Sequence, residues 1–80
     1  MGLPTFLQGC LWSYDLSKMD VGRDYRIIIT QVLNYGGEEQ LDWLMVNYSP
    51  EKIEEVLLHP ARGVWFRERL RQWLGQFRMM

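Results

Sequence analysis

Apolar residues recur at helical spacing in four stretches of this chain, and glycine or proline punctuates most of the joins. The first stretch runs from Val21 to Tyr35, with Asp20 placed to cap its free N–H groups. Tyr25, Ile28, Ile29, Val32 and Leu33 fall at i, i+3, i+4, i+7 and i+8, which is one helix face. Gly36 and Gly37 then offer a left-handed stop. Ile27, Ile28, Ile29 and Thr30 are all β-branched, so a strand is the alternative, but the spacing favours a helix. Ile27 falls on the opposite face with Gln31 and Asn34 and hints at a contact surface.

The second stretch covers Glu38 to Tyr48, with Leu41, Leu44, Met45 and Tyr48 as its inner stripe. Glu38, Glu39 and Asp42 crowd its start, where the helix dipole favours negative charge. Trp43 and Val46 lie off the stripe, and a helix apolar on more than one face is central or covered by a partner. The third stretch has the clearest start: Ser49 as cap, Pro50 at the first helical position and Glu51 after it. Ile53, Val56 and Leu57 form its inner face, and Pro60 ends it. The fourth runs from Val64 to Phe77, with Phe66, Leu70, Trp73, Leu74 and Phe77 on one stripe. Arg67, Arg71 and Arg78 share the neighbouring stripe, and Gly75 is expected to fray the last turn. The expected fold class is therefore all-α: a compact array of short helices forming a single domain over residues 1–80.

A chain of 80 residues holds one small core, and stability at this size leans on self-association or a partner. Four tryptophans among 14% aromatic residues argue against disorder. They are also more than one small core needs. Trp73 belongs to the fourth stripe, whereas Trp12, Trp43 and Trp65 do not all fit inside. Tryptophan and arginine are enriched at binding hot spots, which points to a protein partner; a well-packed aromatic core is the rival explanation.

Residues 1–14 carry no charged side chain. They lack the basic start of a signal peptide, and Pro4, Gln8 and Gly9 interrupt the apolar run, so neither export nor a membrane span is expected. The expectation is an extended N-terminal arm, either docking or partly disordered. Cys10 is the only cysteine, so no internal disulfide forms and a reduced, cytoplasmic setting fits best.

Catalysis needs convergent titratable groups, and this chain offers few. His59 is the single histidine and falls in a helix's last turn, where a protonated ring meets the negative end. Glu51, Glu54 and Glu55 read as ordinary helix electrostatics, so no metal and no cofactor are expected, and the chain reads as not an enzyme. The charge is uneven. Six acids stand against Lys52 from Glu38 to Glu55, and five arginines against Glu68 from Ala61 to Met80. The break at Tyr48-Ser49-Pro50 has helix-turn-helix spacing, but Glu51, Glu54 and Glu55 on the would-be reading helix repel phosphate. The fourth stretch, with Arg67, Arg69 and Arg71 beside Trp65 and Trp73, is the better nucleic-acid candidate.

The order of features also carries a resemblance. Leu11-Trp12-Ser13-Tyr14-Asp15 precedes a capped helix with Ile28-Ile29 and Val32-Leu33, closed by Gly36. Trp43-Leu44 with Tyr48, and Ile53 with Val56-Leu57, follow. Over residues 11–58 this resembles a family of short bacterial antitoxin-like domains of unassigned function. They are often encoded beside nucleotidyltransferase-type toxins of abortive-infection systems. The chain departs from that pattern at Pro60-Ala61-Arg62-Gly63, where a serine-rich turn is expected. The resemblance implies an intracellular protein partner, a nucleotidyltransferase-like toxin among the candidates, and supplies no catalytic residues.

The expected function is thus a small non-catalytic protein-interaction module, an antitoxin or adaptor, with Trp12, Ile27, Trp43, Arg67 and Arg71 at the contact. The alternatives are a DNA-binding regulator using the basic C-terminal helix, and a self-associating structural protein.

Overall fold

One helix is buried along almost its whole length, and the other described elements are arranged around it. In the computed structural model, which describes residues 3–60 and 67–78, this central helix is α1, Tyr25–Tyr35. It touches α2, Glu38–Asn47, then α3, Pro50–Leu58, and α4, Arg67–Arg78; α3 and α4 also pack on each other. All four stretches expected to be helical are helices, and no strand occurs among the described residues.

The predicted stripe of α1 is the centre of the core. Ile28, Ile29, Val32 and Leu33 are fully buried, and Tyr25 packs against them. The helix starts four residues later than expected, because residues 21–24 form a turn. Asp24, not Asp20, takes the N-cap position of α1 and makes no side-chain cap bond there; Asp20 caps the preceding turn, its carboxylate accepting from the Arg23 N–H at 2.7 Å, while Asp24 accepts from the Asp20 N–H at 2.9 Å. The glycine stop differs in kind. Gly36 has φ −75° and Gly37 φ −93°, so neither is left-handed. What Gly36 provides is a close approach, since a Cβ there would lie 2.5 Å from the Val32 carbonyl oxygen and 3.2 Å from Gln40 Cβ.

α3 follows its signals closely. Ser49 accepts from the Lys52 N–H at 3.2 Å, Pro50 opens the helix, and Ile53, Val56 and Leu57 are buried. α2 is peripheral: of its stripe only Leu44 is fully buried, Met45 is exposed and Val46 is 85% exposed. In α4, Trp73 is buried and its indole N–H donates to the Leu33 carbonyl at 3.0 Å. That carbonyl lies in the last turn of α1, where intrahelical partners run out, so α4 closes the end of the central helix. α4 continues through Gly75 to Arg78 instead of fraying. The start of this stretch from Val64, together with Trp65 and Phe66, lies outside the described residues.

The N-terminal segment is not an extended arm. Thr5–Gly9 form a 3-10 helix, and Leu3, Leu7, Cys10 and Leu11 are buried in the core. Burying each such leucine contributes about 1.5–3 kcal/mol, enough to order a short uncharged segment. Three glutamines pin it. Gln31 Nε2 donates to the Cys10 carbonyl at 3.2 Å, and Gln40 Nε2 to the Phe6 carbonyl at 3.0 Å. Gln8 Nε2 donates to the carbonyls of Leu11 at 2.9 Å and Tyr14 at 3.2 Å. Leu16–Lys18 form a second 3-10 turn, capped by Asp15, and the Leu3 N–H donates to the Leu16 carbonyl at 3.0 Å. On the α1 face opposite the stripe, the segment docks on Gln31 through the Cys10 carbonyl, and both Gln31 and Asn34 are buried.

Candidate functional site

The face of α1 that carries Ile27 is only partly covered, and the gap is the site of interest. Ile27, Gln31 and Tyr35 are spaced four residues apart and line up along the helix. The turn at residues 11–14, where the Tyr14 N–H donates to the Leu11 carbonyl at 3.0 Å, crosses this line at its middle and upper end. Trp12 reaches Tyr35, with ring centroids 4.7 Å apart and planes at 82°. This edge-to-face arrangement suits the ring quadrupoles. Below it, Tyr14, Arg26, Ile27, Thr30, Gln31, Val56 and His59 surround a cleft of about 350 Å³.

The lining of the cleft is mostly apolar, with Thr30 and Gln31 among its buried polar members. Ile27 and Val56 supply apolar surface, from α1 and α3. Thr30 and Gln31 are 4% and 8% exposed. Arg26 and His59 are exposed polar residues of its lining. His59 takes the C-cap position of α3, as its helix-end reading requires.

Beside the cleft, α1 and α3 are tied by a cluster that sequence reasoning missed. The Tyr25 hydroxyl donates to Glu55 Oε2 at 2.5 Å, and Arg26 donates to the same oxygen at 3.1 Å. Lys52 Nζ and Arg26 Cζ lie 4.2 and 5.3 Å from the Tyr25 ring centroid, within cation–π range. The bond from Tyr25 holds the Glu55 carboxyl below its ordinary range and raises the Tyr25 phenol in turn. The only trace of this in sequence is Tyr25 at the start of the α1 stripe; pairing across thirty residues leaves no local pattern.

Of the expected contact residues, the structure brings two to this face. Trp12 is 57% exposed on Tyr35, and Ile27 lines the cleft. Trp43 is half-buried, edge-on to Tyr48 at 6.2 Å, and does not line the cleft. Arg71 is exposed on α4. Arg67 is the first residue of α4, and its side chain lies outside the described residues. Tyr14 and Tyr35 were not singled out in sequence, yet both are exposed aromatics on the same face.

Cys10 does not line the cleft. It is buried, and that burial pushes its thiol pKa up, away from the reactive thiolate. Among the described residues no three of His, Cys, Asp and Glu stand together to hold a metal ion. No described helix is long and apolar enough to cross a membrane.

Comparison with curated proteins gives no match, and comparison with solved structures gives none. A family model does match, over residues 6–57. This interval includes most of the N-terminal segment, all of α1 and α2, and α3 up to Leu57. On that match, covering more than half of its length, the chain belongs to DUF6922, a family of unknown function.

Proposed function

We propose that this chain is a small non-catalytic protein-interaction module that docks through the Trp12–Ile27 face. The observation that carries the reading is the cluster of exposed aromatic rings, Trp12, Tyr14 and Tyr35, next to a cleft with a mostly apolar lining. Large exposed aromatics around a preformed concavity are the usual anchors of an interface. Trp12 is already held against Tyr35, so little ordering entropy is lost when a partner covers it. The resemblance to antitoxin-like domains gives the partner class, a nucleotidyltransferase-like protein encoded nearby. Co-expression with that neighbour is expected to yield a complex that survives gel filtration at micromolar concentration. Independent elution of the two proteins overturns the assignment of that partner.

A DNA contact through α4 is the second reading, favoured by the exposure of Arg71. Binding through several arginines weakens steeply as salt rises, whereas an apolar protein interface responds little. A titration of duplex DNA at two salt concentrations separates the two.

A further inference from the structure

Two buried side chains in the lining of the cleft, Thr30 and Gln31, keep hydrogen-bonding capacity that no described residue takes up, and their pattern selects an occupant. Thr30 is 4% exposed, and among the described residues its hydroxyl makes no hydrogen bond. A buried hydroxyl left unpaired is costly, and a helical threonine often satisfies itself on the carbonyl one turn back. Gln31 is 8% exposed and makes one bond, from Nε2 to the Cys10 carbonyl. A carbonyl can only accept, so the amide is fixed in this orientation and Oε1 remains an open acceptor. The lining therefore includes one acceptor at Gln31 and one hydroxyl at Thr30 that both donates and accepts. Ile27, Val56 and Tyr14 supply apolar and aromatic surface around it.

A phenol matches this inventory. Its ring packs against Ile27 and Val56, its O–H donates to Gln31 Oε1, and its oxygen accepts from Thr30. An aliphatic or phenylalanine-type group fills the apolar part but leaves both polar groups of the lining unpaired. The cleft volume of about 350 Å³ is at the small end of ligand sites and suits one large side chain. Its position beside the exposed Trp12–Tyr35 pair makes it the pocket of a larger contact surface. We infer that the cleft between α1 and α3 receives a tyrosine side chain of the partner protein. This deepens the interaction reading and rests on it.

The test uses the full chain, labelled with 15N and titrated with N-acetyl-tyrosinamide and N-acetyl-phenylalaninamide, which differ by one hydroxyl. Saturable amide shifts at Ile27, Thr30, Gln31 and Val56 are expected, with the tyrosine compound binding at least fivefold more tightly. Thr30→Val keeps the shape and removes the hydroxyl; it is expected to lower the tyrosine compound's affinity about five- to tenfold and leave the phenylalanine compound's unchanged. Equal binding of the two compounds, or shifts that map elsewhere, overturns the inference. Saturable binding of p-cresol where N-acetyl-tyrosinamide is excluded overturns it too, and assigns the cleft to a free phenol. A protein captured by the chain whose binding is indifferent to Thr30→Val removes the tyrosine anchor and leaves the interaction reading standing.

Discussion

α1 and α2 are neighbours of nearly equal length, joined by two glycines, yet they lead different lives. In α1 every residue from Ile28 to Asn34 is buried; in α2 only Leu44 is. Both show an apolar stripe in sequence. The difference lies in what covers the other faces. The N-terminal segment is bonded to both helices, through Gln31 of α1 and Gln40 of α2, but on its outer side α2 leaves Met45 and Val46 exposed. Periodicity tells which residues share a face of one helix. How many faces are covered depends on segments far away in the chain.

The contrast can be broken most strongly from the α1 side. Ile29→Ala and Leu11→Ala each remove a fully buried side chain, one from α1 and one from the segment that covers it. Each is expected to cost about 2–5 kcal/mol in urea unfolding. An N-terminal segment that is only a loose arm would instead let Leu11→Ala pass almost without effect.

The joint between the helices comes next. Gly36→Ala places a Cβ against the Val32 carbonyl oxygen and Gln40 Cβ, so the α1–α2 turn must shift. A loss of roughly 1–3 kcal/mol is expected in thermal or urea melts. The backbone dihedrals at Gly36 are ordinary, so a neutral result would mean that the turn yields easily.

Tyr48 sharpens the comparison at the far end of α2. Its hydroxyl donates to the Val21 carbonyl at 2.8 Å. Burial, and then the carboxylates of Asp20 and Asp24, push its phenol up to about 12. A phenol near 10 in the unfolded chain loses its proton first, so the unfolded state binds fewer protons between pH 10 and about 12. Stability should therefore be full below pH 10 and fall as pH rises through that window. Tyr48→Phe is expected to cost about 1 kcal/mol at neutral pH and to flatten the alkaline decline. An unchanged alkaline slope would assign that decline to other groups. The smallest effect belongs to the outer face of α2. Met45→Ala and Val46→Ala should each stay within about 0.5 kcal/mol of the parent.

Much of the fold was legible because its signals are local. Ser49-Pro50 opens α3 as caps dictate, Pro60 follows its end, and the stripe from Ile28 to Leu33 is the core. The N-terminal segment carries a local signal too, but one of burial. Leu3, Leu7, Cys10 and Leu11 fall at i, i+4, i+7 and i+8, and Pro4 and Gly9 bracket the 3-10 helix instead of breaking it. Lack of charge on these residues signals burial, not an arm. The site was legible only in fragments. Trp12 and Ile27 stood out one by one, the first as a surplus ring and the second as an apolar residue off its stripe. Nothing local placed them on one face, because that depends on Gln31 meeting the Cys10 carbonyl 21 residues away. Tyr14, Tyr35 and the Tyr25–Glu55 bond depend on the same kind of long-range docking.

The central claim is that the Trp12–Ile27 face is where a partner protein binds. Capture of the tagged chain from its native cells, run beside a Trp12→Ala variant and read by mass spectrometry at moderate salt, tests it most directly. Trp12 is mostly exposed, so the variant should fold as the parent does, which circular dichroism checks. The account predicts a stoichiometric partner with the parent chain and its loss with Trp12→Ala. Equal recovery of that partner by both chains, or recovery of nothing but the chain itself, would contradict it.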